Sequence, residues 1–242
     1  MKSARRKPGA AALALAGLSV VAFVGARAGM PGSGAARPGA VGADPQVLLG
    51  RHLVLNHDCG GCHGGGDDPA APGWLQGEKT PDQAFAIGPC PATPSPEQPC
   101  FHTHPRNLTP DNETGLGRFS ERQIFNALRY GLRPEDTPDV TITSSTPGQG
   151  NFPLHPHYLA PPMPWPGWRH MYDAELRAIA AYLKRGLKPV HNKVTESEGP
   201  PDFWAAEYAG GIPALKLGPY PALPFPTVNE QGPEAARAAP RK

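Results

Sequence analysis

Aromatic residues are scarce, 7% of 242, and charged residues reach only 18%. A chain so poor in both does not furnish a large two-domain core. The formal net charge is +2, so the dense basic stripe of a nucleic-acid binder is absent. Catalytic patterns are missing as well: there is no nucleophile elbow, P-loop, HExxH or EF-hand loop, and no internal repeat. What the chain has in excess is Pro (33) and Gly (29), together about a quarter of its residues. That approaches the range where packed structure yields to irregular chain. Proline crowds into residues 69–110, 133–167 and 189–240 and nearly avoids 44–63, 119–131 and 172–186. The expectation is a small helical domain with long loops and a loose tail.

The one long apolar run sits at the N-terminus. Lys2, Arg5, Arg6 and Lys7 precede an apolar stretch from Ala10 to Gly25, and Ala26-Arg27-Ala28 fits a cleavage site. This is the pattern of an export signal over residues 1–28, with 29–43 as a linker. The competing reading is an uncleaved anchor that tethers the protein to a membrane, although the run is short of the roughly 20 residues a span needs. Residues 1–28 hold five of the 23 basic residues and none of the 21 acidic ones, so the remainder is formally −3. Export places the four cysteines in an oxidising compartment, where thiols pair or bind something.

They fall as two pairs. Cys59-Gly60-Gly61-Cys62-His63 reads C-x-x-C-H, the signature of covalent haem attachment. Two thiols three residues apart can meet the two vinyl groups of one porphyrin as thioethers, and the adjacent His63 can then ligate the iron. A thioredoxin-type motif would want a preceding strand, and none is readable before Cys59. A zinc site would want a second close ligand pair, whereas Cys90 and Cys100 stand ten apart among prolines. That second pair reads as a disulfide, contributing about 2–3 kcal/mol in the chain-entropy model. One motif implies one haem c.

Three helices are readable. Asp44 as N-cap and Pro45 at N1 open a helix to about Asn56, with Val47, Leu48 and Val54 as its apolar face. The second begins at Ser120, where Gln123 completes a capping box and Phe119 can staple onto Ile124, and it stops at Gly131. The third starts at Asp173 and carries Leu176, Ile179, Ala180 and Leu183 at core-facing spacing, with Gly186 as its expected C′ residue. Val140–Thr143 is a weak strand candidate.

These stretches resemble class I c-type cytochromes, in particular those that accompany periplasmic dehydrogenases. The likeness rests on Gly50-Arg51-His52-Leu53-Val54, on the run Asn107 to Gly117 (N-L-T-P-D-N-E-T-G-L-G), on Pro162-Met163-Pro164-Trp165, and on Ala178 to Leu183. It covers residues 44–193 and leaves 194–242 as a Pro-rich tail. It implies an all-α domain in which the first and last helices pack near Gly50 and Tyr182, and a periplasmic location. The sequence departs from the pattern in having Phe119 where tryptophan is common, an expanded 64–106 region with the extra cysteines, and the tail.

Met163 is the expected sixth iron ligand, because prolines on both sides stiffen its loop. Met171 reads as an apolar lid on the last helix, and His155 and His157 are the competing ligands. A thioether raises the potential and fills the position a substrate or gas would need. The expected function is therefore one-electron transfer through a His63/Met163 haem, to or from a dehydrogenase, an oxidase or a quinol-oxidising complex. The alternative is a peroxidase-like or gas-binding haem protein with an open sixth position.

Overall fold

The computed structural model describes residues 44–79, 84–199, 203–204 and 229–230. The expected signal, linker and most of the tail lie outside the described residues. The elements run α1 (Pro45–Asn56), α2 (Cys59–His63), β1 (Phe85–Ile87), β2 (Phe101–Thr103), α3 (Glu121–Tyr130), α4 (Trp165–Trp168) and α5 (Asp173–Ala181). The domain is helix-dominated; β1 and β2 form one small antiparallel pair, with Ala86 opposite His102. No helix among the described residues is long and apolar enough to cross a membrane.

Local chemistry sets the helix ends. Asp44 accepts the Gln46 N–H ahead of Pro45, and Ser120 with Gln123 forms a complete capping box. Gly131 closes α3 at φ 70°, in the left-handed region. Beyond α5 the helix does not end at a glycine C′. It widens into one π turn, Tyr182–Gly186, and Gly186 stands inside it because a Cβ there would meet the Tyr182 ring at 2.3 Å.

The central contact is α1 crossing α5. A Cβ on Gly50 would stand 1.9 Å from the Ala178 carbonyl oxygen, so only glycine permits the two backbones to come this close. Gly50, Leu53 and Val54 are buried there, while Leu48 is 53% exposed. This corrects the expected face: Val47, Gly50 and Val54 share one side of the helix, and Leu48 points about 100° away from Val47. Arg185 joins the ends from outside, bonding Asp44, Gln46 and Glu121.

Two apolar clusters result. The first gathers Leu53, Val54, Trp74, Leu75 and Phe119 with the inner faces of α3 and α5; the second gathers Phe101, Tyr130, Leu132, Ile142, Phe152, Tyr158, Trp165 and Trp204. Residues 140–143 form no strand, and Ile142 enters the second cluster from irregular chain. The expectation that the chain past Lys193 buries little is corrected at its start. Val194 is 6% and Trp204 1% exposed, and Glu198 pairs by backbone with His102. The sheet edge and Phe101 give this segment an apolar platform that its own composition does not announce.

Candidate functional site

Cys59, Cys62 and His63 all lie on α2, a single short helix capped by Asp58, whose carboxylate accepts the Gly61 N–H at 3.1 Å. Gly60 faces Trp74 so closely that a Cβ would meet its ring at 2.3 Å. Trp74 in turn donates its indole N–H to the Tyr182 hydroxyl at 3.0 Å, tying α2 to the last helical turn. Neither Cys59 nor Cys62 is in a disulfide; Cys62 is exposed and Cys59 half-buried. Burial, with the Asp58 charge second, pushes the Cys59 thiol up to about 11.

His63 is 8% exposed. Its Nδ1–H donates to the Arg106 carbonyl at 2.7 Å, and its own carbonyl accepts the Gly77 N–H at 2.8 Å. Burial holds the imidazole below its ordinary pKa, outweighing the Arg106 bond that works the other way. With Nδ1–H donating to a carbonyl, the lone pair of the neutral ring lies on Nε2, which has no hydrogen-bond partner among the described residues. Two unpaired thiols beside an imidazole held in this tautomer are the donor set a covalently held, iron-containing porphyrin requires.

Met163 stands elsewhere, in the turn Ala160–Met163, half-buried against the second cluster. Its loop is anchored on both sides. Leu159 N–H donates to the Gly131 carbonyl at 2.6 Å, and Trp165, 2% exposed, stacks on Tyr158 with ring planes 6° apart. Met171 packs on the first cluster instead. Trp168 touches both clusters, and Cys59 touches the first. Of the competing ligands, His155 is exposed and His157 bonds Asp136 at 3.0 Å on the surface.

The stretch 107–117 works as a brace. All hydrogen-bonding groups of the buried Asn107 side chain are used: Nδ2 donates to Thr114 and to the Val190 carbonyl, and Oδ1 accepts from the Thr109 N–H and hydroxyl. This fixes the backbone that presents the Arg106 carbonyl. Three features had no readable signal in the sequence: that carbonyl, the buried pair Glu78–His104, and Arg129. Arg129 is 5% exposed and bonds the Arg169 and Met171 carbonyls and Asp173, while its Nε has no hydrogen-bond partner among the described residues. Cys90 and Cys100 form the expected disulfide.

A helical domain with this cysteine–histidine helix, closed by a first and a last helix, is cytochrome c-like. No protein-family model matches the chain. It is similar to the cytochrome subunit of fructose dehydrogenase from Gluconobacter japonicus, 24% identical over 60% of this chain and 22% of that protein. It is also similar to the gluconate 2-dehydrogenase cytochrome c subunit of Pantoea cypripedii, 28% identical over 65% of this chain and 27% of the relative. A third relative is the cytochrome c subunit of a quinone-dependent alcohol dehydrogenase from Gluconacetobacter polyoxogenes, 31% identical over 35% of this chain and 14% of that protein. The chain spans about a quarter or less of the length of these curated relatives. All three are cytochrome subunits of dehydrogenases.

Proposed function

We propose that this protein is a periplasmic electron carrier with one covalently held haem c, exchanging single electrons with a dehydrogenase. The observation that carries the reading is His63: buried, and bonded through Nδ1 so that Nε2 is left to ligate iron. Cys59 and Cys62 would hold the porphyrin as thioethers, and Met163 would supply the second protein ligand to its iron. When bound, the haem supplies a one-electron ferric/ferrous couple. Arg106 and Gly77 fix the His63 ring and backbone, and the anchored Pro-rich loop keeps the Met163 thioether from wandering. Met163 would also exclude other ligands, which favours a carrier over a peroxidase-like protein. The likeness to dehydrogenase cytochrome subunits supports the same partner class, as does the N-terminal export pattern for the location. The domain proposed for residues 44–193 extends at least through Glu198, whose backbone pairs with His102.

The test is a pyridine haemochrome spectrum of the denatured chain combined with carbon monoxide titration of the native ferrous protein. Covalent c-type haem, a near-infrared sulfur-to-iron band in the ferric form and no carbon monoxide binding are expected. Rapid carbon monoxide binding without the sulfur band would replace the carrier with the open-site haem protein, and His155 and His157 would be the next ligands to examine.

A further inference from the structure

Behind His63 sits a buried carboxylate–imidazole pair with no role in the scheme above. Glu78 Oε2 lies 2.5 Å from His104 Nδ1, and the two side chains are 2% and 5% exposed. Burying two ionisable groups costs several kcal/mol of solvation, so such a pair is weak as a source of stability alone. Its connections point to another use. The Glu78 N–H donates to the Pro105 carbonyl at 3.0 Å, and Gly77, one residue earlier, donates to the His63 carbonyl at 2.8 Å. Arg106, two residues past His104, supplies the carbonyl that accepts His63 Nδ1–H at 2.7 Å. The pair therefore joins the segment that holds the His63 backbone to the segment that holds its ring. The chain beyond α5 backs the joint: Thr195 N–H donates to Glu78 Oε1 at 3.1 Å and Asn192 Nδ2 to the Glu78 carbonyl at 2.9 Å.

We infer that Glu78 and His104 are positioning residues for His63, setting the strength of its hydrogen bond to Arg106 and through it the reduction potential. The inference rests on His63 being an iron ligand. An imidazole whose far N–H is held firmly by a carbonyl is the more basic ligand and favours ferric iron. Loosening the 104–106 segment weakens that bond and makes reduction easier.

The experiment measures the reduction potential and the urea unfolding midpoint of the haem-loaded protein and its variants. Glu78→Ala and His104→Phe should each raise the potential, moving the ferrous-to-ferric ratio about tenfold, which is about 59 mV for one electron. Glu78→Gln keeps an acceptor for His104 and should restore most of the wild-type potential. An unchanged potential with a lowered midpoint would make the pair merely structural and overturn the inference. So would equal shifts in Glu78→Gln and Glu78→Ala, which would assign the effect to lost charge. If Glu78→Ala does not fold, His104→Phe decides. Absence of covalent haem from the wild-type chain would instead sink the ligand assignment of His63 itself, and the haemochrome assay reads that separately.

Discussion

His63 is 8% exposed, and its ring bonds a carbonyl 43 residues away, while Met163 is half-buried and its nearest backbone bond is a turn to Ala160. The first residue belongs to the region where α1, α2, α5 and the 107–117 brace interlock. The second belongs to a loop pinned at Leu159 and Trp165, stiffened between them by proline. One side is immobilised by distant parts of the chain, the other by its own covalent stiffness. Damage to the His63 side should therefore spread through the fold, and damage to the Met163 side should stay local.

The largest effect comes from removing attachment. Replacing Cys59 and Cys62 together by Ser should leave no haem on the denatured chain, whereas replacing Cys90 and Cys100 should leave it intact and cost about 2–3 kcal/mol in urea unfolding. Next, Gly50→Ala puts a methyl group against the Ala178 carbonyl and should destabilise by about 3 kcal/mol, because backbone cannot swing aside as a side chain can. Met163→Ala is the matching test on the other side. It should abolish the near-infrared sulfur band and lower the potential while amide exchange in α1 and α5 stays as in the wild type. Exchange that rises throughout α1 and α5 in this variant would erase the distinction between the two sides.

Smaller effects sharpen it. Trp74→Phe keeps the ring against Gly60 but leaves the Tyr182 hydroxyl without its donor, a loss of about 1 kcal/mol by chemical denaturation. The smallest concerns acid. Hydrogen bonding to Arg185 holds the Asp44 carboxyl below its usual pKa, so its contribution is present above the unfolded value and fades as pH falls through the folded one. Asp44→Asn retains a good N-cap. It should make unfolding less dependent on pH below about 4, with little change at pH 7, since the pair is exposed.

The helix ends were legible because capping is local: Asp44-Pro45, Ser120 with Gln123, and Gly131 are written within four residues of the turn they fix. The apolar stripe of α5 was legible for the same reason of short-range periodicity. What sequence could not carry is contact between distant segments. Leu48 looks as apolar as Leu53, and only the position of α5 leaves it in water. Trp204 sits in a Pro-rich stretch with no periodicity, yet Phe101 and Arg133 receive its ring. His104 carries no mark that separates it from His102, although one is buried on Glu78 and the other faces solvent. At the candidate site, the C-x-x-C-H pattern singled out three side chains, but the group that orients His63 is a main-chain carbonyl, which any residue type could supply.

The crossing of α1 and α5 also sets an order of events. The face around Gly50 is covered by residues 173–181, and Arg185 reaches back 141 positions to Asp44. Joining segments so far apart in the chain must first overcome the entropy of a long closure, a trait of slow folding. Until the last helix is available, the core has no lid, and α2 has no Tyr182 to hold Trp74 against it. The last helix is thus what completes the burial around Cys59, whereas Cys62 is exposed even in the finished fold.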